Sequence, residues 1–236
     1  MMVEGPLTGG IIAAGLGRRL RRDGFAVAKP LVPVAGVPLI AGVIENFLAA
    51  GIRSLRIIVN EEERDCVQWV ERRFPGLDAH WIVRTTASSL ESFVAVAGAP
   101  ADGRMLVSTV DAWCRAADFA RFVEAACRRP ADASVLAVTP LVADENPLWV
   151  DLDADGRVTG LGGGSGRLVT AGIYLVSARA RRTPPPPGLG RLREYLTWLW
   201  RHGEPLLGEV VETVVDVDRA QDVALAEALA LTVRRS

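Results

Sequence analysis

Short, uniformly apolar runs alternate along the first half of this chain with longer segments whose apolar residues recur at helical spacing. The runs lie at residues 9–14 (GGIIAA), 55–59 and 105–110. An apolar run without polar alternation suits a strand covered on both faces, and helical segments between such strands give a parallel sheet. Residues 38–50 place Leu39, Val43 and Phe47 on one helical stripe and stop at Gly51, a good C-terminal cap. Residues 61–74 predict the next helix, opened by Glu61, Glu62 and Glu63, whose charge suits a helix N-terminus. A short strand at 81–83, a helix capped by Ser88 or Ser89, a helix over about 118–128 and a buried strand at 133–139 complete this half. The expected fold class is α/β.

The second half changes character. Residues 148–152 and 157–161 flank Asp153-Ala154-Asp155-Gly156, which reads as a hairpin with an Asp-Gly turn. A glycine loop at 162–166 leads into a strand at 168–176. The run Pro184–Pro187 is a stiff surface connection, because proline neither donates to a ladder nor continues a helix. A helix over 191–200, strand material at 208–217 and a closing helix at 219–231 follow. No linker separates two domains, so residues 1–236 are expected to form one, with 1–140 and 141–236 as its two halves.

Composition narrows the function. Half of the 236 residues are hydrophobic and the net charge is -1, which excludes a disordered chain and a surface built to neutralise nucleic-acid phosphates. Cys66, Cys114 and Cys127 are too few and scattered for a disulfide framework or zinc site; they read as buried thiols in a reducing compartment. No stretch of about 18 uncharged apolar residues occurs. The expectation is a cytoplasmic protein without nucleic-acid or membrane partners, with a homo-oligomer left open. Of the 27 basic residues, 26 are arginine and one is lysine, Lys29. In a chain so biased towards arginine, a surviving lysine points to a compact charge that a planar guanidinium cannot replace.

That lysine follows the chain's most informative segment. Gly15-Leu16-Gly17-Arg18-Arg19-Leu20 comes directly after the first strand, and Lys29-Pro30-Leu31-Val32-Pro33-Val34 shortly after it. Two glycines let backbone N–H groups approach an anion, and Arg19 and Lys29 add positive charge around it. The segment is neither a Walker A loop nor a dinucleotide fingerprint, since Leu20 occupies the third glycine position.

AAGLGRRL, eight residues, and then KPLVPVAGVPLI resemble the N-terminal signature of the sugar-phosphate nucleotidyltransferases, or NDP-sugar pyrophosphorylases. The resemblance implies a single-domain Rossmann-like α/β/α sandwich with a mixed, mainly parallel sheet. It also implies Mg²⁺-dependent transfer of a nucleoside monophosphate from NTP to a phosphorylated small-molecule acceptor, with release of pyrophosphate. Carried over by position, Gly15 and Gly17 line the nucleotide phosphates, Arg19 contacts them, Lys29 stabilises charge at the α-phosphate, and Arg18, also counted as nucleotide-binding, stands where the family usually has a small hydroxyl residue. Ala13 and Ala14 approach the base through the backbone, and Thr86, Ser88 and Ser89 fall in the base-recognition loop. Asp111 matches the first metal aspartate, although Ser108-Thr109-Val110 replaces the usual glycine before it. Asp218 is chosen as the second, with Asp216 as the fallback. Thr170 and Gly172 lie in the acceptor segment. The expected acceptor is a sugar 1-phosphate, then a phosphocholine-like compound, then the molybdenum cofactor. The acceptor-half lysine of sugar-1-phosphate members is missing, with Arg167 as a substitute.

Several features have simpler readings. Asp111 also suits a strand-end turn, Asp218 a helix cap, and Ser88 or Ser89 a cap. Asp151-x-Asp153-x-Asp155-Gly156 mimics a calcium loop but lacks its terminal glutamate. His80 and His202 have no ligand-spaced partner, and Tyr195, Trp198 and Trp200 suit helix packing. Two rival functions stay open: a non-catalytic nucleotide-binding regulatory domain of the same fold, and a glycosyltransferase using Asp151-x-Asp153.

Overall fold

The computed structural model describes residues 7–98, 103–142, 146–163 and 166–232. Strand β1 (Thr8–Ala13) leads through a tight loop into the short helix α1 (Arg18–Arg22) and a 3-10 turn at Lys29–Leu31. The ribbon β2 (Pro33–Val34) and β3 (Val37–Pro38) precedes α2 (Leu39–Ala49). Then come β4 (Ser54–Val59), a 3-10 turn at Glu61–Glu63, α3 (Asp65–Arg73), β5 (Asp78–Val83) and α4 (Ser89–Ala97). Next are β6 (Met105–Thr109), β7 (Ala112–Cys114), α5 (Ala116–Arg128) and β8 (Ser134–Thr139). The remainder comprises β9 (Trp149–Leu152), β10 (Val158–Leu161), β11 (Leu168–Val176), α6 (Ala178–Arg182), α7 (Leu192–Arg201), β12 (Leu206–Val210), β13 (Val214–Asp216) and α8 (Ala220–Thr232).

Nine strands form one mixed sheet. β1 lies between β6 and β4, parallel to both, and β4 carries β5 on its far side. β11 runs antiparallel beside β6 and pairs with β8 and β9, while β12 adds in parallel to β8 and β10 completes a hairpin with β9. Only β10 and β11 oppose the common direction, so the sheet is mainly parallel, as expected.

The alternation of side chains along each strand builds two cores. Ile11, Ile57 and Leu106 face one side, against Phe47 of α2, Val70 of α3, Phe119 of α5 and Val223 of α8. Ile12, Ile58 and Val107 face the other, against Phe93 of α4 and Tyr195 and Leu199 of α7. Because successive strand residues point to opposite faces, each apolar run supplies both layers at once. The result is the α/β/α sandwich.

Four expectations are corrected. The helix expected over 61–74 is a 3-10 turn and then α3, because Asn60 caps the turn by accepting from the Glu62 amide. The strand material at 208–217 divides into β12 in the main sheet and β13, which pairs antiparallel with β7. β7 and α6 were not expected, being too short to show periodicity. Cys66 and Cys114 are buried, but Cys127 is exposed at the end of α5. Of the glycine loop at 162–166, residues 164 and 165 lie outside the described residues. The 153–156 segment is the turn of the β9–β10 hairpin, where Asp153 Oδ1 accepts from the amides of Asp155 and Arg157. No helix among the described residues is long and apolar enough to cross a membrane.

Candidate active site

The C-terminal ends of β1 and β6 lie side by side, and the Val110 amide donates to the Ile12 carbonyl beyond the last ladder pair. Gly17 follows β1 in a left-handed conformation, φ 57° and ψ 34°, and caps α1. A Cβ there would also stand 2.6 Å from Lys29 Cβ. Glycine is therefore needed for backbone conformation and for close approach, and the contact seats the lysine against the loop. Lys29 is only 6% exposed. Its ammonium donates to Asp111 Oδ2 at 2.5 Å and also to Asp218 Oδ1. Arg19 Nη1 reaches the other oxygen of Asp218 at 3.1 Å.

Asp111 and Asp218, 107 positions apart, meet because of the β7–β13 ribbon. Asp216 is paired with Ala112, next to Asp111, and the Asp111 carbonyl accepts from the Val217 amide at 3.0 Å. Asp216 and Asp218 are two residues apart on extended chain, so both carboxylates turn towards Asp111. Each of the three offers an oxygen within 4.8 Å of the others. The expected Asp218 and the fallback Asp216 thus both lie in one cluster with Asp111. Asp218 is not spent on capping: Asp222 accepts from the amides of Asp218 and Arg219, and Asp23 from that of Ala220.

Charge fixes the protonation of this group. Burial works to deprotonate Lys29, but Asp111, Asp218 and Asp216 outweigh it and raise its pKa above that of an ordinary lysine. Burial works to raise Asp111, yet the Lys29 ammonium and a Thr109 hydrogen bond hold it below the usual carboxylate range. The Asp111 carboxylate and the buried ammonium therefore stand as an ion pair beside Asp216 and Asp218. Three oxygen donors so close are the donor set of a hard divalent cation, and Mg²⁺ typically takes one or two carboxylates plus substrate oxygens.

The triad lines a cleft of about 270 Å³. Thr139, Thr170, Ser89 and Arg193 add polar groups along its walls, and Leu141, Leu148 and Leu192 supply apolar surface. Tyr174 stands in the wall as a neutral phenol, its pKa pushed up to about 12 by burial and by Asp216 and Asp111, against Thr170 and Arg193. Gly172 sits at the irregularity of β11 with φ 73°, where a Cβ would approach Thr109 Oγ1 to 2.7 Å. Arg193 places a cation in the cleft wall and also donates to the Asn146 carbonyl. Arg167 is exposed and is not part of that wall.

The remaining expected residues divide. Ala13 and Ala14 are buried at the end of β1, whereas Gly15 and Arg18 are exposed at its mouth. Thr86 Oγ1 pairs with Ser92 Oγ at 2.7 Å, Ser88 caps α4, and Ser89 Oγ accepts from the Leu192 amide while lining the cleft. These hydroxyls hold the loop's own shape and tie α4 to α7. Asn60 was missed. It is buried, donates to the Ala14 carbonyl at 3.3 Å and accepts from Glu62 N and Thr85 Oγ1. It joins the β1 loop to the loop after β5. An amide placed directly after an apolar strand was the available signal.

The model of the MobA-like NTP transferase domain matches residues 9–154. A CMP-5'-(3-aminopropyl)phosphonate synthase of Streptomyces rubellomurinus is 28% identical over 196 residues, covering 79% of this chain and 31% of that protein. A 2-aminoethylphosphonate cytidylyltransferase of Lancefieldella rimae is 31% identical over 91 residues, 36% of each. The chain spans about a third of the length of both curated relatives. Among solved structures, the inositol-1-phosphate CTP transferase of T. maritima superposes with a TM-score of 0.81 at 16% identity, over 97% of both chains. A Bacillus anthracis protein described as a glucose-1-phosphate thymidylyltransferase, in complex with sucrose, gives 0.81 at 18% identity, over 95% of both. At these identities the two structures share the fold.

Proposed function

Because the chain belongs to the MobA-like NTP transferase domain family, and so carries an NTP-dependent nucleotidyltransferase domain, we propose that it transfers CMP from CTP to a small phosphonate. The observation that carries the chemistry is the meeting of Lys29 with Asp111, Asp216 and Asp218 between the β1 loop and the cleft. The relatives' activities support CTP as the nucleotide and a phosphonate as the acceptor. They move the expected acceptor from a sugar 1-phosphate to an alkylphosphonate.

The reaction is an in-line displacement. A phosphonate oxygen of the acceptor bonds to the α-phosphorus, and the bond from that phosphorus to the α,β-bridging oxygen breaks to release pyrophosphate. Such transfers depend on positioning and charge stabilisation, and the chain needs no nucleophile of its own. The amides of Gly15 and Gly17, with Arg19, receive the phosphates, and the cleft beyond Asp111 receives the acceptor. Lys29, kept protonated by its acidic neighbours, presents its ammonium to the non-bridging oxygens of the α-phosphate as their charge rises. Asp111, Asp216 and Asp218 would hold Mg²⁺, which when bound neutralises phosphate charge and orients the reacting group. Arg193 and Thr170 bound the space left for the acceptor.

Pyrophosphate release tests this reading, with each of CTP, ATP, GTP, UTP and dTTP against aminoalkylphosphonates, phosphocholine, inositol 1-phosphate and hexose 1-phosphates. The expected result is release with CTP and an alkylphosphonate. Release with a hexose 1-phosphate alone would return the acceptor to the sugar-phosphate class. No release from any pair by a folded protein would refute the assignment.

A further inference from the structure

We propose that Asp23 and Asp222 are positioning residues: they occupy the amides at the start of α8 and so leave the Asp218 carboxylate turned towards Lys29. What this does for turnover rests on the nucleotidyl-transfer reading above; the placing of Asp218 does not.

An aspartate just before a helix commonly spends its side chain there. Its carboxylate accepts from an amide two or three residues on, which satisfies a helix-start donor and turns the group back onto its own chain. Asp218 stands two residues before Ala220, where α8 begins. Its oxygens instead meet Lys29 Nζ and Arg19 Nη1. Two other carboxylates have taken its place at the helix start. Asp222 Oδ2, in the first turn of α8, accepts from the Arg219 amide at 2.8 Å and from the Asp218 amide at 3.0 Å. Asp23 Oδ2 accepts from the Ala220 amide at 2.9 Å. Three consecutive amides are therefore held, and the one that a turn of Asp218 would use is held by Asp23.

The two residues come from different parts of the fold. Asp222 is 5% exposed and fixes the Asp218 backbone from within α8. Asp23 is exposed and is the C-terminal cap of α1, an end where the helix dipole disfavours a carboxylate; the N-terminus of α8 favours one. The turn that presents it is closed by the Asp23 amide on the Arg19 carbonyl and the Phe25 amide on the Leu20 carbonyl, both at 3.0 Å. Arg19 and Asp23 are four residues apart and so share a helix face. That face grips the 218–220 segment at two points, Arg19 on the Asp218 carboxylate and Asp23 on the Ala220 amide. The loop after β1 is thereby tied to an aspartate of the carboxylate cluster.

Melting temperatures test the placing of Asp218, with Asp23→Ala and Asp222→Ala made in the wild type and in Lys29→Met. Once the other carboxylate is gone, Asp218 can turn onto α8. It does so at less cost when Lys29 no longer holds it and Asp111 repels it. Asp23→Ala is expected to lower the wild-type melting temperature by about 2–4 °C and that of Lys29→Met by about 1 °C or less, with Asp222→Ala following the same pattern. Asp23→Asn keeps an acceptor oxygen and removes the charge, so its shift is expected to be the same in both backgrounds. Equal losses for Asp23→Ala, or a background-dependent loss for Asp23→Asn, would overturn the proposal. The exposed Asp23 site carries this test if Asp222→Ala does not fold. In steady-state kinetics, the Mg²⁺ concentration for half-maximal rate is expected to rise about tenfold in the alanine variants and to return in Asp23→Asn and Asp222→Asn. An unchanged Mg²⁺ requirement would overturn the catalytic part. If the wild-type chain transfers no nucleotide, that failure belongs to the assigned activity, and the melting temperatures alone support or overturn the placing of Asp218.

Discussion

Replacing Lys29 by Met tests whether the ammonium is what allows three carboxylates to stand together. The substitution keeps the stem's volume and its packing on Gly17, and removes the charge. Asp111 and Asp218 then face each other within 4.8 Å with only Arg19 on the outer oxygen. At an effective dielectric of about 20, two such charges repel by about 3.5 kcal/mol. The side chains of Asp111 and Asp218 are 21% and 34% exposed, so water relieves part of this, and a net loss of about 2–3 kcal/mol is the working figure. For a chain of this length each kcal/mol moves the melting temperature by about 2–4 °C, giving a fall of about 4–12 °C in chelator. Added Mg²⁺ should restore most of the loss, because a divalent cation can take the place that the ammonium leaves. The same ion without nucleotide should shift the wild type much less, since Lys29 already occupies two of the three carboxylates. The assay is thermal unfolding of both proteins in chelator and in Mg²⁺. A variant as stable as wild type in chelator, and indifferent to Mg²⁺, would refute the argument.

Gly17→Ala should cost about 1–2 kcal/mol from its left-handed backbone and displace Lys29 through the 2.6 Å approach, lowering kcat; unfolding and turnover measured together would show both losses. Gly172→Ala would press on Thr109 Oγ1 at 2.7 Å beside the cleft, so the acceptor KM should rise while nucleotide binding, read by calorimetry, stays unchanged. Burial pushes the Cys66 and Cys114 thiols up to about 12, against about 8.5 for a free cysteine. A raised pKa means less thiolate at a given pH, so at about pH 8 the native protein should react with a thiol reagent at Cys127 alone, and at all three sites after unfolding. Mass spectrometry of the labelled protein would check this, and modification of Cys66 in the folded state would contradict it.

Much of the fold was legible because burial on both faces leaves a plain mark. The runs at 9–14, 55–59 and 105–110 became β1, β4 and β6, the centre of the sheet. What escaped was short or set by distant partners. β7 and β13 have three residues each, and they exist because they pair with each other. Residues 61–74 read as one helix because the acidic run resembled a first turn, while the Asn60 side chain closes a separate turn there. In the site, the loop glycines, Arg19 and Lys29 stood out through their spacing, and Asp111 through the family resemblance. The clustering of Asp216 with Asp218 did not, since it follows from the β7–β13 register. Asn60 was hidden because its place in the site depends on reaching the neighbouring loop, a relation that no local pattern records. The proposal of a phosphonate acceptor in place of a sugar phosphate rests on the relatives rather than on the site.

The most direct measurement is pyrophosphate release from CTP with 2-aminoethylphosphonate or 3-aminopropylphosphonate and Mg²⁺, comparing the wild-type chain with Asp111→Asn and Lys29→Ala. The account predicts turnover by the wild type and a loss of at least about a hundredfold in each variant, with circular dichroism showing the fold retained. Wild-type-like turnover in either variant would contradict it.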